Sequence, residues 1–187
     1  MRRIGELLSR HSGEVAWIFG KGPSLDQFSM DDAGRLRICI NESLCVVPEP
    51  TYFFAHDEPP IRNVAHQWHS GCFAVLQQPR ALFAVGCQIP EDQIYVYEKR
   101  HADNRVRDMN AAQIAECGAL YGNSGTVHSA IHFCRLIGAV KVVLVGFDGC
   151  GGYAKSLNMP PGGAAHDRIR QDTVSLLKTM GLDYEFS

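Results

Sequence analysis

The sequence predicts an α/β fold, a mostly parallel sheet with helices on both faces, and three stretches predict it. Val15–Phe19 (V-A-W-I-F) has the length and branching of a buried strand. It runs into Gly20-Lys21-Gly22-Pro23-Ser24, a glycine-rich turn of the kind that follows a strand at the ligand-binding edge of an open α/β sheet. Beyond Gly122-Asn123-Ser124-Gly125, the residues Val127, Ala130, Ile131, Cys134 and Ile137 fall at helical spacing, and past Gly138 comes Lys141–Val145, the best strand in the chain. A helix feeding a β-branched strand is the second half of the crossover that parallel strands require. The three together predict a Rossmann-like sheet, built as one domain over residues 1–187.

The remaining elements follow in order. Ile4, Leu7 and Leu8 predict a short amphipathic helix within Arg2–Arg10, and polar Asp26–Arg35 fits a short helix or loop. Arg37–Ile40 and Thr51–Ala55 read as strands. The first ends at Asn41-Glu42-Ser43 and the second at His56-Asp57-Glu58, where Pro59 and Pro60 stop it. Val64, Ala65 and Trp68 share one face of a helix within Ile61–Ser70. Cys72–Leu76, Ala81–Val85 and Ile94–Tyr97 read as strands. Glu98–Asn110, the one strongly polar stretch, reads as a solvated loop or a flap over a ligand. Asp167–Met180 predicts a helix with Ile169, Thr173, Leu176, Leu177 and Met180 inward, Gly181 ends it, and Leu182–Phe186 fits a closing strand.

Composition narrows the function classes. A hydrophobic share of 45% sustains a sizeable core, and a net charge of −2 lacks the basic excess of a general nucleic-acid binder. No apolar run reaches the roughly 20 residues of a membrane span. Glu6, Arg10, His11 and Glu14 interrupt any signal-peptide core, so a cytoplasmic location is expected. The 7 cysteines are odd in number and none has C-x-x-C spacing, which argues against a disulfide scaffold and a structural zinc. No transition-metal site is expected.

In a parallel sheet the loops after each strand meet on one rim. Gly20, Lys21, Gly22 and Ser24 would let a phosphate approach the backbone, with the N–H groups of Gly22, Ser24 and Leu25 and the Ser24 hydroxyl as donors. The amide of Asn41 can read a ribose or base by donating and accepting. The helix start at Ser124 and Gly125 favours a phosphate, and Asp57 and Asp148 could hold Mg²⁺ together with phosphate oxygens.

Gly20-Lys21-Gly22-Pro23-Ser24-Leu25 resembles the Gly-Asn-Gly-Pro-Ser-Leu opening of bacterial CMP-sialic-acid-dependent sialyltransferases. The likeness extends to Ile40-Asn41, to Ser124-Gly125 with its helix, and to Val145-Gly146-Phe147-Asp148. Similar motifs mark a wider group that includes archaeal 6-hydroxymethyl-dihydropterin diphosphokinases and flagellin-glycosylation proteins. The resemblance implies that Gly20, Lys21, Gly22, Ser24, Asn41, Ser124, Gly125 and Asp148 bind a CMP-type nucleotide or nucleotide-sugar, with no further cofactor. It implies that Tyr153 stabilises the departing phosphate and that His166 is the general base of a glycosyl transfer. Lys21 and Asp57 stand where the sialyltransferases carry asparagines, which leaves open a Mg-ATP diphosphokinase with Asp57 and Asp148 on the metal. The first of the family's two tyrosines would fall near Cys150, which leaves open a nucleotide-binding protein without catalysis. The partners expected are a small-molecule nucleotide donor and an acceptor, and homo-oligomerisation stays open.

Overall fold

Residues 1–123, 125–149, 152–159 and 166–187 are described by the computed structural model, the side chains of His166 and Asp167 excepted. A two-residue strand, β1 (Arg2–Arg3), opens the chain, and β2 (Val15–Phe19) follows. Then come β3 (Arg37–Ile40), β4 (Tyr52–Phe54), α1 (Glu58–Ala65), β5 (Phe73–Gln77), α2 (Gln78–Gly86) and β6 (Ile94–His101). The second half holds α3 (Asn104–Arg107), α4 (Ala111–Cys117), β7 (Ala119–Gly122), α5 (Thr126–Ile137), β8 (Lys141–Val145), α6 (His166–Met180) and β9 (Asp183–Phe186). Every strand pairing among the described residues is parallel. The order across the sheet is β1-β6-β5-β4-β3-β2-β8-β9, with β7 also on β6. The expected α/β fold with a parallel sheet is the observed one.

Apolar side chains cover both faces of the sheet, as a parallel sheet requires. On one face Ile18, Ile38, Phe54 and Leu144 pack with Ile131, Phe133, Ile137 and Leu177 of α5 and α6. On the other, Phe19, Phe53, Leu76 and Val145 pack with Ile61, Val64, Ala81 and Ala84 of α1 and α2. α5 is buried nearly all round, and Gly138 ends it in the left-handed region (φ +81°) that glycine adopts without cost. Among the described residues no helix is long and apolar enough to cross a membrane.

The structure departs from the sequence reading at four places. Arg2–Arg10 is not an α-helix: β1 is followed by a single 3₁₀ turn, Ile4–Leu7, that buries Ile4 and Leu7 and leaves Leu8 exposed. Ala81–Val85 is helical, inside α2: Ala81 and Ala84 face the core, Leu82 and Val85 face solvent, and Pro79 sits in the first turn where its missing N–H costs nothing. Pro59 and Pro60 likewise start α1 rather than merely ending a strand. Glu98–Asn110 is neither loop nor flap over its first part: Glu98–His101 extend β6 and pair with β7, a buried four-residue strand the sequence reading did not find.

Candidate functional site

Between β2 and β8 the chain reverses its course across the sheet. β2 through β6 step outward one way, and β8 and β9 lie on the other side of β2. Such a switch point leaves a crevice outside the carboxyl ends of the strands, because the flanking connections go to opposite faces. A cleft of about 240 Å³ lies there. Its walls are Gly20–Gly22 after β2, Ile40 at the end of β3 and Asn41 after it, Asp57 after β4, Gly125–Val127 at the start of α5, and Gly146–Gly149 after β8. Gly152, Tyr153, Ile169 and Arg170 close it. Six of the residues singled out in the sequence as nucleotide-binding (Gly20, Lys21, Gly22, Asn41, Gly125 and Asp148) thus meet at one place, with Tyr153 and Asp57 beside them.

The glycine turn is built differently from the expectation. The Gly22 N–H donates to Gly146 O (2.7 Å), the Ser24 N–H to Asp148 Oδ2 (3.1 Å), and the Leu25 N–H to Gly22 O (3.1 Å). All three expected phosphate donors are therefore engaged within the protein. The Ser24 hydroxyl is engaged too, accepting from the Gly146 N–H (3.0 Å) and donating to Ser187 O (3.4 Å). The glycines serve close packing: a Cβ on Gly20 would lie 2.5 Å from Gly146 O, and one on Gly22 would lie 2.8 Å from the same oxygen and collide with Asp148. Asp148 thus takes the place at the turn that a ligand anion was expected to fill. At α5, the Gly125 N–H donates to His128 Nδ1 (3.3 Å), so this donor is also satisfied. Ser124 lies outside the described residues.

Other residues supply polar groups the turn does not. Asn41 sits at the carboxyl end of β3 with φ +56°, a left-handed conformation that asparagine tolerates better than most residues. Its Oδ1 is buried and has no hydrogen-bond partner among the described residues. Lys21 Nζ donates to Glu42 Oε2 (2.8 Å) and lies 4.6 Å from the centre of the Tyr153 ring. Glu42, almost fully buried, also accepts from Asn63 Nδ2 (3.1 Å). The Ala154 N–H donates to Lys21 O (2.7 Å), and the N–H groups of Lys155 and Ser156 donate to Asp26, which holds Tyr153 against the first turn.

Arg170, on the first turns of α6, was not singled out in the sequence. It donates from Nη1 to Asp148 O (3.1 Å) and lies over the Phe186 ring at 4.8 Å, which keeps a cation at the wall of the cleft. Its position one helical turn past His166 was the available signal. His166 itself is the first residue of α6, and its side chain lies outside the description. Asp57 precedes α1, its side chain makes no capping bond, and it faces the cleft. No family model matches the chain, and no curated protein sequence matches it.

Proposed function

We propose that the cleft binds a nucleotide and that the chain transfers a group from a nucleotide-activated donor, with sugar transfer from a CMP-activated donor as the first reading. The observation that carries it is Asn41 Oδ1. A buried amide oxygen without a donor costs about 1–3 kcal/mol unless a ligand or water supplies the hydrogen bond. This one lines a switch-point cleft, where an amino group of a base or a ribose hydroxyl is the fitting donor. The cation of Arg170 suits the phosphate of such a ligand, and Tyr153 lines the same cleft.

In this reading an acceptor hydroxyl attacks the anomeric carbon, the bond from that carbon to the phosphate oxygen breaks, and CMP leaves. The acceptor proton passes to His166. Arg170 and Tyr153 stabilise the charge that grows on the leaving phosphate.

Asn41→Gly tests the reading, because glycine keeps the left-handed backbone and removes only the amide. The expected result is an unchanged or slightly raised melting temperature in the free protein and a loss of about tenfold or more in CMP affinity, read by calorimetry. Equal CMP affinity in the variant, or no CMP binding by the native chain, overturns it.

A second reading, a Mg-ATP diphosphokinase, draws on Asp57 and Asp148, two hard oxygen donors on the same cleft. The metal would screen the charge of the transferred group, and Asp57 and Asp148 would hold it. That reading expects ATP binding that needs Mg²⁺, whereas sugar transfer expects CMP binding that survives EDTA.

A further inference from the structure

Beside the cleft, on the β4–β6–β7 side, lies a polar cluster that the proposed function does not use. β6 outruns its neighbour: β5 ends its pairing at Gln77 opposite Tyr97, and the next four residues of β6 pair only with β7. Lys99 therefore stands beyond the end of β5, at the rim where the strand ends open. Two residues after Tyr97, it points to the same face of the sheet. Its stem passes over Gly122, where a Cβ would lie 2.6 Å from Lys99 Cε.

Lys99 Nζ lies 3.2 Å from His56 Nδ1. On the other side of the ring, His56 Nε2 lies 3.1 Å from the Tyr97 hydroxyl and 3.2 Å from Ser129 Oγ. Ser129 in turn donates to Tyr121 O (3.1 Å). One tautomer satisfies this chain of contacts: the ammonium donates to Nδ1, and Nε2–H donates toward the two hydroxyls. Burial, then the nearby Lys99, push the His56 imidazole down to about 3, so it is neutral and can accept. Among the described residues no carboxylate lies within ion-pair distance of Lys99 Nζ; burial lowers the Lys99 ammonium from its ordinary value, and Asp57, a residue of the cleft wall, pulls it partly back. A half-buried ammonium held by a neutral imidazole, with an acid near it but none in hydrogen-bond contact among the described residues, keeps donors for something else.

We propose that Lys99, positioned by His56, is the anion-binding group of a second subsite beside the cleft and takes the carboxylate or phosphate of the second substrate. Naming that ligand as the acceptor rests on the proposed function. The anion site itself rests on the geometry alone.

The test is a titration of the native chain with inorganic phosphate and, separately, with acetate, at low salt and with saturating CMP present. Melting temperature and the His56 ring ¹⁵N shifts are read together. A saturable response to at least one anion is expected, with the His56 resonances moving along the same curve as Lys99 turns to the anion. Phosphate alone or acetate alone would identify the anionic group. Lys99→Met should weaken that response about tenfold or more while leaving CMP affinity unchanged, and Lys99→Arg should restore most of it.

Equal anion responses in the native chain and Lys99→Met overturn the proposal, as does the absence of any response in the native chain. An anion response seen only when CMP is omitted also overturns it, because the anion was then reading the nucleotide cleft. If CMP does not bind but the Lys99-dependent response persists, the subsite stands and the nucleotide reading falls.

Discussion

At the scale of single residues, Lys21 is the position where sequence and structure differ most in meaning. Its place in a glycine turn points to a phosphate contact, yet its ammonium is committed to Glu42, which a four-residue strand and a 3₁₀ turn carry in beneath it. Removing the lysine leaves a nearly buried carboxylate with Asn63 as its one remaining side-chain partner among the described residues. Lys21→Met should lower stability by roughly 2 kcal/mol, less than a fully buried pair would lose, and Lys21→Met/Glu42→Gln should recover most of it. Chemical denaturation of the four chains of the cycle checks this, and a pair of additive losses would count against the pairing. Asn41 could be named from sequence because it closes a recognisable strand. Glu42 beside it gave no such signal, since only the fold shows that its side chain turns inward. Two donors of the glycine turn, the N–H groups of Gly22 and Ser24, are misjudged from sequence for a related reason: Gly146 and Asp148, which occupy them, lie more than 120 positions away.

At the scale of elements, legibility follows how much of the pattern is local. β2, β3, β8 and α5 announce themselves through unbroken apolar runs or a clean helical period. α2 does not, because Ala81 to Val85 is apolar on both its buried and its exposed sides and so matches either period. The end of β6 is illegible for the opposite reason: its partner β7 supplies hydrogen bonds that make a strand of residues too polar to predict one. α5 carries a consequence for acid stability. His128 and His132 are fully buried in it, and His56 packs on its Ser129. Burial pushes His128 and His132 down to about 4 and His56 down to about 3. Above the unfolded value of about 6.5 neither state binds these protons, so the three groups leave stability flat there. Below it the unfolded chain takes up protons that the native one refuses, so stability should fall with pH, by roughly 1–2 kcal/mol for each histidine at pH 5. The loss levels off only near the folded values. Denaturation midpoints between pH 8 and pH 5 test this, and a flat profile over that window would show that the imidazoles protonate in place.

At the scale of the whole molecule, the central pair of the sheet joins distant parts of the chain. β2 and β8 lie side by side, and the turn after β2 closes on Asp148, 124 positions from Ser24. During synthesis at 5–20 residues per second, β2 therefore waits for about 6–25 s with one edge unpaired. That edge belongs to V-A-W-I-F, an apolar run without charge or proline, the composition that seeds intermolecular strand pairing. The wall of the cleft and the cover over this edge of β2 thus form in the same event, the arrival of Lys141–Val145. A chain ended at residue 140 should form thioflavin-positive aggregates, and Trp17→Lys, which breaks the run, should keep that fragment dispersed. If the fragment stays monomeric without the lysine, another segment covers β2 while it waits.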